Sequence, residues 1–371
     1  MSAPENDGHA HIEVPEGHNQ DEENTGMTSK NGWDGKLRIP KSALLSNPEA
    51  LSDPEYSDEE NVLEGEEIPA DQDLLKDEPA DTDEIMCIHS RIGSMGALKL
   101  ERFKSVVRIC LRQNRIQEIE GLESLAATLE DVDFYDNLIN HMRGLDGLTK
   151  IKCLDLSFNK IKHIKNISHM TEMKELFLVA NKISKIENLE TLTKLTSLEL
   201  GSNRIREIKN LESLQALEEL WLAKNKITDL TGLGGLPKLR LLSIQSNRIT
   251  DLSPLKDVPT LEELYMSHNM LDSLAGIESN INLKVLDISH NKISKLQGLG
   301  PLKKIEEIWA SYNLIIDFND VERQLKDKEA LTTVYFEGNP LQLRAPALYR
   351  NKVRLALPQV SQIDATYVKV P

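Results

Sequence analysis

Aromatic and acidic side chains recur in this chain at one point of a period of about 22 residues. The position four residues before each of a series of asparagines holds Cys110, Asp133, Asp155, Phe177, Glu199, Trp221, Ser243, Tyr265, Asp287, Trp309 and Tyr335. Five of the 16 aromatic residues fall in these eleven positions, far more than chance would place there. Trp and Tyr anchor interfaces, and solvated rings leave apolar area that marks an interaction site. The pattern therefore predicts recognition of a macromolecule.

A second outward row stands two positions earlier, on the same side of each predicted strand. Its members are Arg108, Asp131, Cys153, Glu175, Ser197, Glu219, Leu241, Glu263, Val285, Glu307 and Thr333. Acids thus alternate with rings, and Asp133 should lie beside Asp155, where like charges repel. This surface favours a basic partner. The plainer alternative is that the rings cover sheet edges and the acids form an ordinary solvated row.

The same residues offer little to a catalyst. The chain has no Gly-Lys-Ser/Thr phosphate loop, no G-x-S-x-G motif and no H-E-x-x-H motif. Carboxylates in an open trough also lack the desolvation that tunes them for acid-base work. His268 and His290 are equivalent in adjacent units, but no suitable third metal ligand follows. The sequence predicts neither an enzyme nor a metal or cofactor site.

Basic residues follow most of the asparagines. They are Arg115, Lys160, Lys182, Arg204, Lys226, Arg248 and Lys292. Such a row could suggest nucleic acid, but a phosphate backbone would also meet the acidic floor beside it. A solvated rim is the preferred interpretation, and we expect no nucleic-acid partner.

The elements that position these side chains follow from the asparagines themselves. Nine of the ten intervals are 22 or 23 residues in the series Asn114, Asn137, Asn159, Asn181, Asn203, Asn225, Asn247, Asn269, Asn291, Asn313 and Asn339. The segment 154–161 shows the frame L-x-L-x-x-N-x-I/L, which is typical of a leucine-rich repeat. The fold class predicted is an α/β leucine-rich-repeat solenoid. It should have a parallel concave sheet of short strands, a convex side of 3-10 or short helical turns, and a helical C-terminal cap.

Each repeated position has a structural role in this frame. Residues five and three before the asparagine are apolar in every unit, so they should point inward and be buried by stacking of neighbouring units. The asparagine amide should bond backbone groups that no sheet ladder satisfies. Parallel strands about 4.8 Å apart give a concave face on the order of 50 Å long.

Three segments are predicted along the chain. Residues 1–84 hold 24 acids against 5 bases and no sustained period, which predicts a disordered acidic tail. Residues 85–340 should form a partial first unit and eleven repeats, and residues 341–371 the cap, with a helix over 346–357 after a short helix within 320–328. Within the tail, residues 36–45 are basic and apolar, which indicates either a short docking segment or, as the preferred interpretation, a chance feature of composition. Ser57, before three acids, is a candidate phosphosite.

Composition also predicts the compartment. Three scattered cysteines give no disulfide framework, the first residues do not form a signal peptide, and no run of 18 apolar residues occurs. We therefore expect a nuclear and cytoplasmic protein with no membrane partner.

From residue 85 onward the chain resembles the leucine-rich-repeat regulatory subunits of protein phosphatase 1. The resemblance rests on the unbroken 22-residue class of repeat, on segments 176–189 and 200–205, and on the ending 352–367. It implies that the concave face binds the phosphatase catalytic subunit, with a third regulatory protein as a further candidate partner. The implied contacts are Asp155, Phe177, Glu199, Trp221, Asp287, Glu307, Trp309 and Tyr335, to which the outward row adds Tyr265. At Trp221 the family commonly has phenylalanine.

Two other readings of the pattern stay open at this point. One is a leucine-rich-repeat scaffold of an RNA-processing complex, although such a protein would have fewer repeats than the eleven here. The other is an acidic histone-binding protein, although its acidic tract would follow the repeats.

Overall fold

The computed structural model describes residues 74–368. The tail residues 1–73, including the segment 36–45 and Ser57, lie outside this range. Inside it, the repeats form one sheet whose strands are hydrogen-bonded in chain order. The predicted solenoid fold is confirmed.

Twelve short strands pair in parallel, one for the partial first unit and one for each of the eleven repeats. They are β1 (Glu84–Met86), β2 (Arg108–Cys110), β3 (Asp131–Asp133), β4 (Cys153–Asp155), β5 (Glu175–Phe177), β6 (Ser197–Glu199), β7 (Glu219–Trp221), β8 (Leu241–Ser243), β9 (Glu263–Tyr265), β10 (Val285–Asp287), β11 (Glu307–Trp309) and β12 (Thr333–Tyr335). Equivalent residues of neighbouring units pair directly, as Leu286 does with Leu264 and Ile308.

The middle residue of each three-residue strand points into the core. From Ile109 in β2 to Val334 in β12, every one of these side chains is fully buried. The residues three before and two after each asparagine, such as Leu156 and Ile161, are fully buried as well. Each unit exposes this apolar set at its open edges, so only stacking on its neighbours removes it from water.

The asparagines form the predicted ladder. Asn159 is representative: its Nδ2 donates to the carbonyls of Phe134 and Leu156 at 3.0 and 3.1 Å, and its Oδ1 accepts from the Ile139 backbone N–H at 2.9 Å. One side chain therefore satisfies backbone groups of its own unit and of the preceding one. The residue just before each asparagine has a left-handed backbone, with φ from 53° to 75°, a feature that sequence analysis did not predict.

The convex side is built from turns and short 3-10 segments. The 3-10 segments within the described residues are Met95–Leu98, Leu100–Arg102, Leu122–Leu125 and Ser253–Asp257. The long last interval contains helix α1 (Phe318–Leu325), which begins at the side-chain cap of Asp317 and lies two to three residues earlier than predicted. The 26-residue interval thus has room for an α-helix of two turns, where the 22- and 23-residue intervals hold only turns and short 3-10 segments.

The C-terminal cap combines helices with two further strands. Helices α2 (Pro340–Leu343) and α3 (Pro346–Ala356) are followed by β13 (Gln362–Ile363), parallel to β12, and β14 (Thr366–Tyr367), antiparallel to β13. The Asp364 carboxylate accepts from the backbone N–H groups of Phe336 and Glu337 and from the Tyr349 hydroxyl at 3.0–3.1 Å. Asp364 thus satisfies backbone N–H groups of the last full unit, as the repeated asparagines do in the preceding units.

The first edge differs from the predicted boundary. Strand β1 begins at Glu84, and turns occupy residues 74–82, with Leu75 buried in the core. The repeat structure therefore includes residues that the sequence analysis assigns to the tail, since Leu75 packs into the core at the open first edge. Within residues 74–368, no helix is long and apolar enough to span a bilayer.

Candidate partner-binding face

The two outward rows lie on the concave side of the sheet in direct register. The first residues of β2 to β12 form one row and the third residues form the other, so that Phe177 pairs with Glu199 and Glu199 with Trp221. The structure thus places every predicted partner-binding residue on one continuous face, while the candidate phosphosite Ser57 lies outside the described residues. Tyr265, Trp309 and Tyr335 form an aromatic cluster on this face, and Asp133 and Asp155 form an acidic cluster. Phe177, Glu199 and Trp221 lie on the strands between the two clusters.

The aromatic cluster lies toward the C-terminal end. The Trp309 ring centroid is 6.1 Å from that of Tyr265 and 6.1 Å from that of Tyr335, both in tilted or edge geometry. Tyr265 and Trp309 are two strands apart, about 9.6 Å along the sheet. Their rings must therefore lean toward each other, and the residue between them, Asp287, is only 6% exposed.

The polar group of each of these three aromatic side chains makes a hydrogen bond. The Tyr265 hydroxyl donates to Glu263 at 2.8 Å, and the Trp309 indole N–H donates to Glu307 at 3.0 Å. Gln362 of the cap donates to the Tyr335 hydroxyl at 2.8 Å. Burial and the nearby carboxylates raise the pKa of Tyr265, so it stays a neutral donor. The rings are therefore held in place before any partner binds.

Trp221 differs from the other rings. Its indole nitrogen is buried and has no hydrogen-bond partner among residues 74–368. The acid of its own strand, Glu219, pairs instead with Arg240 at 3.0 Å, and Arg240 also approaches Glu263 at 3.7 Å. The arrangement that holds Trp309 is thus absent at Trp221.

The acidic cluster lies toward the N-terminal end. Burial, followed by the charge of Asp155, raises the pKa of Asp133. Arg112 moderates the expected repulsion, since its guanidinium lies 3.4 Å from Asp133 and 4.0 Å from Asp155 while stacking 4.3 Å over the Tyr135 ring. The sequence analysis expected the Asp133–Asp155 pair to await a basic partner, but an internal cation already lies beside it.

The aspartates of the third-residue row also have a local structural role. One carboxylate oxygen of Asp155 accepts from the Ser157 backbone N–H at 2.8 Å, and Asp287 bonds Ser289 in the same way at 2.9 Å. An aspartate at a strand end commonly closes a turn like this. These two positions therefore support the fold whether or not a partner also touches them.

Glu199 lies between Phe177 and Trp221 and is half-buried. Burial, followed by Asp155 and Glu219, raises its pKa. A positive group of a partner would relieve both causes, since it would replace lost hydration and neutralise the local charge.

A stack of rings at the rim was missed by the sequence analysis. His268, His290 and Tyr312 occupy successive left-handed positions, with centroids 4.1 and 4.5 Å apart and planes within 12°. Burial and the neighbouring His268 lower the pKa of His290. The sequence could have indicated part of this stack, because His268 and His290 occupy equivalent positions in adjacent units. Within the described residues, no group of three His, Cys, Asp or Glu side chains could hold a metal ion.

Known families match this arrangement of strands. The family model described as "Leucine Rich repeats (2 copies)" matches residues 193–235, 215–257 and 237–279, and that described as "Leucine Rich repeat" matches 147–162 and 279–295. The chain has the leucine-rich-repeat fold.

Curated relatives bear out the resemblance to phosphatase regulators. "Protein phosphatase 1 regulatory subunit SDS22" of Schizosaccharomyces pombe is 52% identical over 86 residues, 23% of this chain and 25% of that protein. Its namesake in Saccharomyces cerevisiae is 45% identical over 94 residues, 25% of this chain and 28% of the other. The chain thus spans about a quarter of the length of these relatives.

Solved structures show the same fold. An internalin (InlF) of Listeria monocytogenes has a TM-score of 0.63 at 22% identity, over 77% of this chain and 87% of its own. A leucine-rich-repeat protein of Leptospira interrogans has a TM-score of 0.57 at 22% identity, over 71% and 74%. At this identity the likeness concerns architecture alone.

Proposed function

We propose that this chain is a non-catalytic regulatory subunit that binds the catalytic subunit of protein phosphatase 1 through its concave face. The names of the relatives support the partner, and the clusters of rings and acids on the concave face support the surface. The binding residues we assign are Asp155, Phe177, Glu199, Trp221, Tyr265, Asp287, Glu307, Trp309 and Tyr335.

The arrangement of Trp309 carries this proposal. The ring is half-exposed, packed between Tyr265 and Tyr335, and its N–H is fixed by Glu307. A ring already held in place loses little conformational freedom on binding, which favours affinity. Glu307 and Glu263 beside it would pair with basic groups of the phosphatase and set its orientation.

The regulatory role we assign follows from this mode of binding. A solenoid that holds the catalytic subunit in its trough can control that subunit's assembly, its location or the state of its active-site metals, in the nucleus and the cytoplasm. It supplies no reacting group itself. An acidic, aromatic trough would also suit a basic histone tail, so core histones form the informative competitor.

The test is direct titration of the full chain with the purified phosphatase catalytic subunit, using wild type and Trp309→Ala. Loss of an interface anchor should weaken binding by about 30-fold or more. Circular dichroism and the melting temperature should stay close to wild type, because the ring is outside the core. The matched control is Tyr367→Ala, which removes a ring 80% exposed on the cap and should leave affinity unchanged.

Undiminished binding by a folded Trp309→Ala protein would refute the assignment of this face. Binding of core histones by wild type, with no binding of the phosphatase, would instead favour the histone reading.

A further inference from the structure

Three consecutive repeats carry exposed rings and exposed apolar side chains on the rim beside the aromatic cluster. We define the rim patch by its six exposed residues, His268, Met270, His290, Tyr312, Leu314 and Ile316. The side chains of Met270, Tyr312, Leu314 and Ile316 are each 45–52% exposed. Large side chains left in water in adjoining repeats mark an interaction site, whereas single exposed ones do not.

The rim changes character where this patch begins. In the five units from Asn159 to Asn247, the residue after the asparagine is Lys or Arg. In the next three units this residue is Met270, Lys292 and Leu314. The charged, solvated rim expected from the sequence therefore gives way to an apolar one on strands β9 to β11. The concave residues Tyr265 and Trp309 belong to the same three strands.

The rings of the rim patch are held in one arrangement. His268 lies 4.1 Å from His290, and His290 lies 4.5 Å from Tyr312, with the ring planes within 12° of each other. Tyr312 in turn lies against the backbone of Gly338, because a β-carbon built at that glycine would come within 2.5 Å of the ring. Rings that are already stacked lose little conformational freedom when a partner covers them.

Little separates the rim patch from the aromatic cluster. The outward residues between the two are Ser267, Ser289 and Ser311, whose side chains are small. Trp309 and Tyr312 are only three residues apart, at most about 10 Å along the chain. One partner seated on the aromatic cluster can therefore reach the rim patch over a continuous surface.

We infer that the rim patch is a second part of the phosphatase-binding surface and takes an apolar segment of the catalytic subunit. This inference rests on the function proposed above. Apolar side chains of that segment would cover Met270, Leu314 and Ile316, while its polar groups would bond the imidazole nitrogens and the Tyr312 hydroxyl. Such contacts around an anchor exclude water from it, so the rim patch would strengthen the binding of Trp309.

The charge of the chain disfavours a second copy of itself as the occupant. The chain has a net charge of -16, and Glu263 and Glu307 lie on the concave face of the same repeats. Two such surfaces would repel each other on approach. A partner with basic groups for these acids and an apolar segment for the rim meets no such repulsion.

The test is calorimetric titration of the full chain with the purified phosphatase catalytic subunit. The rim variant combines Tyr312→Ala, Leu314→Gln and Ile316→Gln. The matched control combines Tyr367→Ala, Leu348→Gln and Leu355→Gln, which makes the same kinds of change at exposed residues of the cap. Trp309→Ala is titrated alongside them. Sedimentation velocity of wild type and of the rim variant measures self-association.

We expect the rim variant to bind the phosphatase about tenfold more weakly than wild type, because it loses the apolar contacts beside the anchor. The control should bind as wild type does. Both variants should keep the wild-type melting temperature, since all the changed side chains lie outside the core.

Unchanged affinity of the folded rim variant, with weakened binding by Trp309→Ala, would overturn this inference and leave the proposed function standing. Failure of wild type to bind the phosphatase would overturn both. Equal losses in the rim variant and the control would also overturn the inference. A wild-type dimer that the rim variant does not form, with phosphatase affinity unchanged, would overturn the choice of partner.

Discussion

The two sides of the same strands follow different rules. In β10, Leu286 points inward and is fully buried, while Val285 and Asp287 point outward onto the concave face. The middle position of the strand is Ile, Leu or Val in all eleven repeats, whereas the third-residue row ranges from cysteine to tryptophan. Stacking on both neighbours constrains the inward side, and the outward side is left to vary with the partner.

The division between inward residues that stabilise the fold and outward residues that are free to contact a partner is not complete. Asp155 and Asp287 lie on the outward side yet close turns through the backbone N–H groups of Ser157 and Ser289. Substitution there would change local structure as well as any contact. The outward residues that best isolate binding from folding are therefore the rings and the glutamates.

The largest effect should come from the inward side. Leu286→Ala should lower the free energy of unfolding by about 2–5 kcal/mol, because the cavity it leaves lies between two stacked units. Chemical denaturation followed by circular dichroism measures the change. The control is Val285→Ala on the outward side of the same strand, expected to cost less than about 1 kcal/mol. Equal losses would show that the two sides are not distinct.

The next largest effect should come from an outward glutamate. Glu307→Gln keeps an acceptor for the Trp309 N–H but removes the charge, so the fold should be unaffected. Loss of a hydrogen bond to a charged group of the phosphatase should weaken binding by roughly 10-fold to 100-fold. Calorimetric titration gives the affinity. Unchanged affinity would mean that this acid serves only to orient the ring.

A smaller effect depends on pH. The pKa of Glu199 is raised by burial, so its ionised form costs stability above the folded-state pKa. Glu199→Gln should therefore melt higher than wild type near neutral pH. The difference should close as the pH falls below about 4, the ordinary range of the carboxyl. Melting curves across this range test the sign, and a variant less stable than wild type at neutral pH would contradict it.

The smallest effect is expected at Trp221. Trp221→Phe removes a buried N–H that has no hydrogen-bond partner in the part of the chain that the structure describes, and burying such a group costs about 1–3 kcal/mol. The smaller ring also loses some apolar contact. These terms nearly cancel, so the melting temperature should stay the same or rise slightly. Phosphatase affinity should also be retained. A clear fall in affinity alone would show that the partner supplies an acceptor for this N–H.

Most of the repeat architecture could be predicted because each unit repeats the same local pattern of apolar residues and asparagine. The spacing of asparagines such as Asn159 located the strands β2 to β12, and alternation around Leu154 separated inward from outward side chains. The N-terminal edge at Leu75 and the cap strands β13 and β14 could not be predicted in this way. They occur once, so no period reveals them, and their structure depends on which surface the adjoining unit leaves open.

The amino-acid sequence by itself determined the solenoid, its register and the residues that share the concave face, because a 22-residue period and strand alternation are local properties. Only the tertiary structure decided how those residues interact. Tyr265 and Trp309 lean together over Asp287, Arg112 lies between two aspartates, and His268 stacks on His290 and Tyr312. These contacts join units about 22 residues or more apart and depend on side-chain rotamers, which a periodic pattern does not specify.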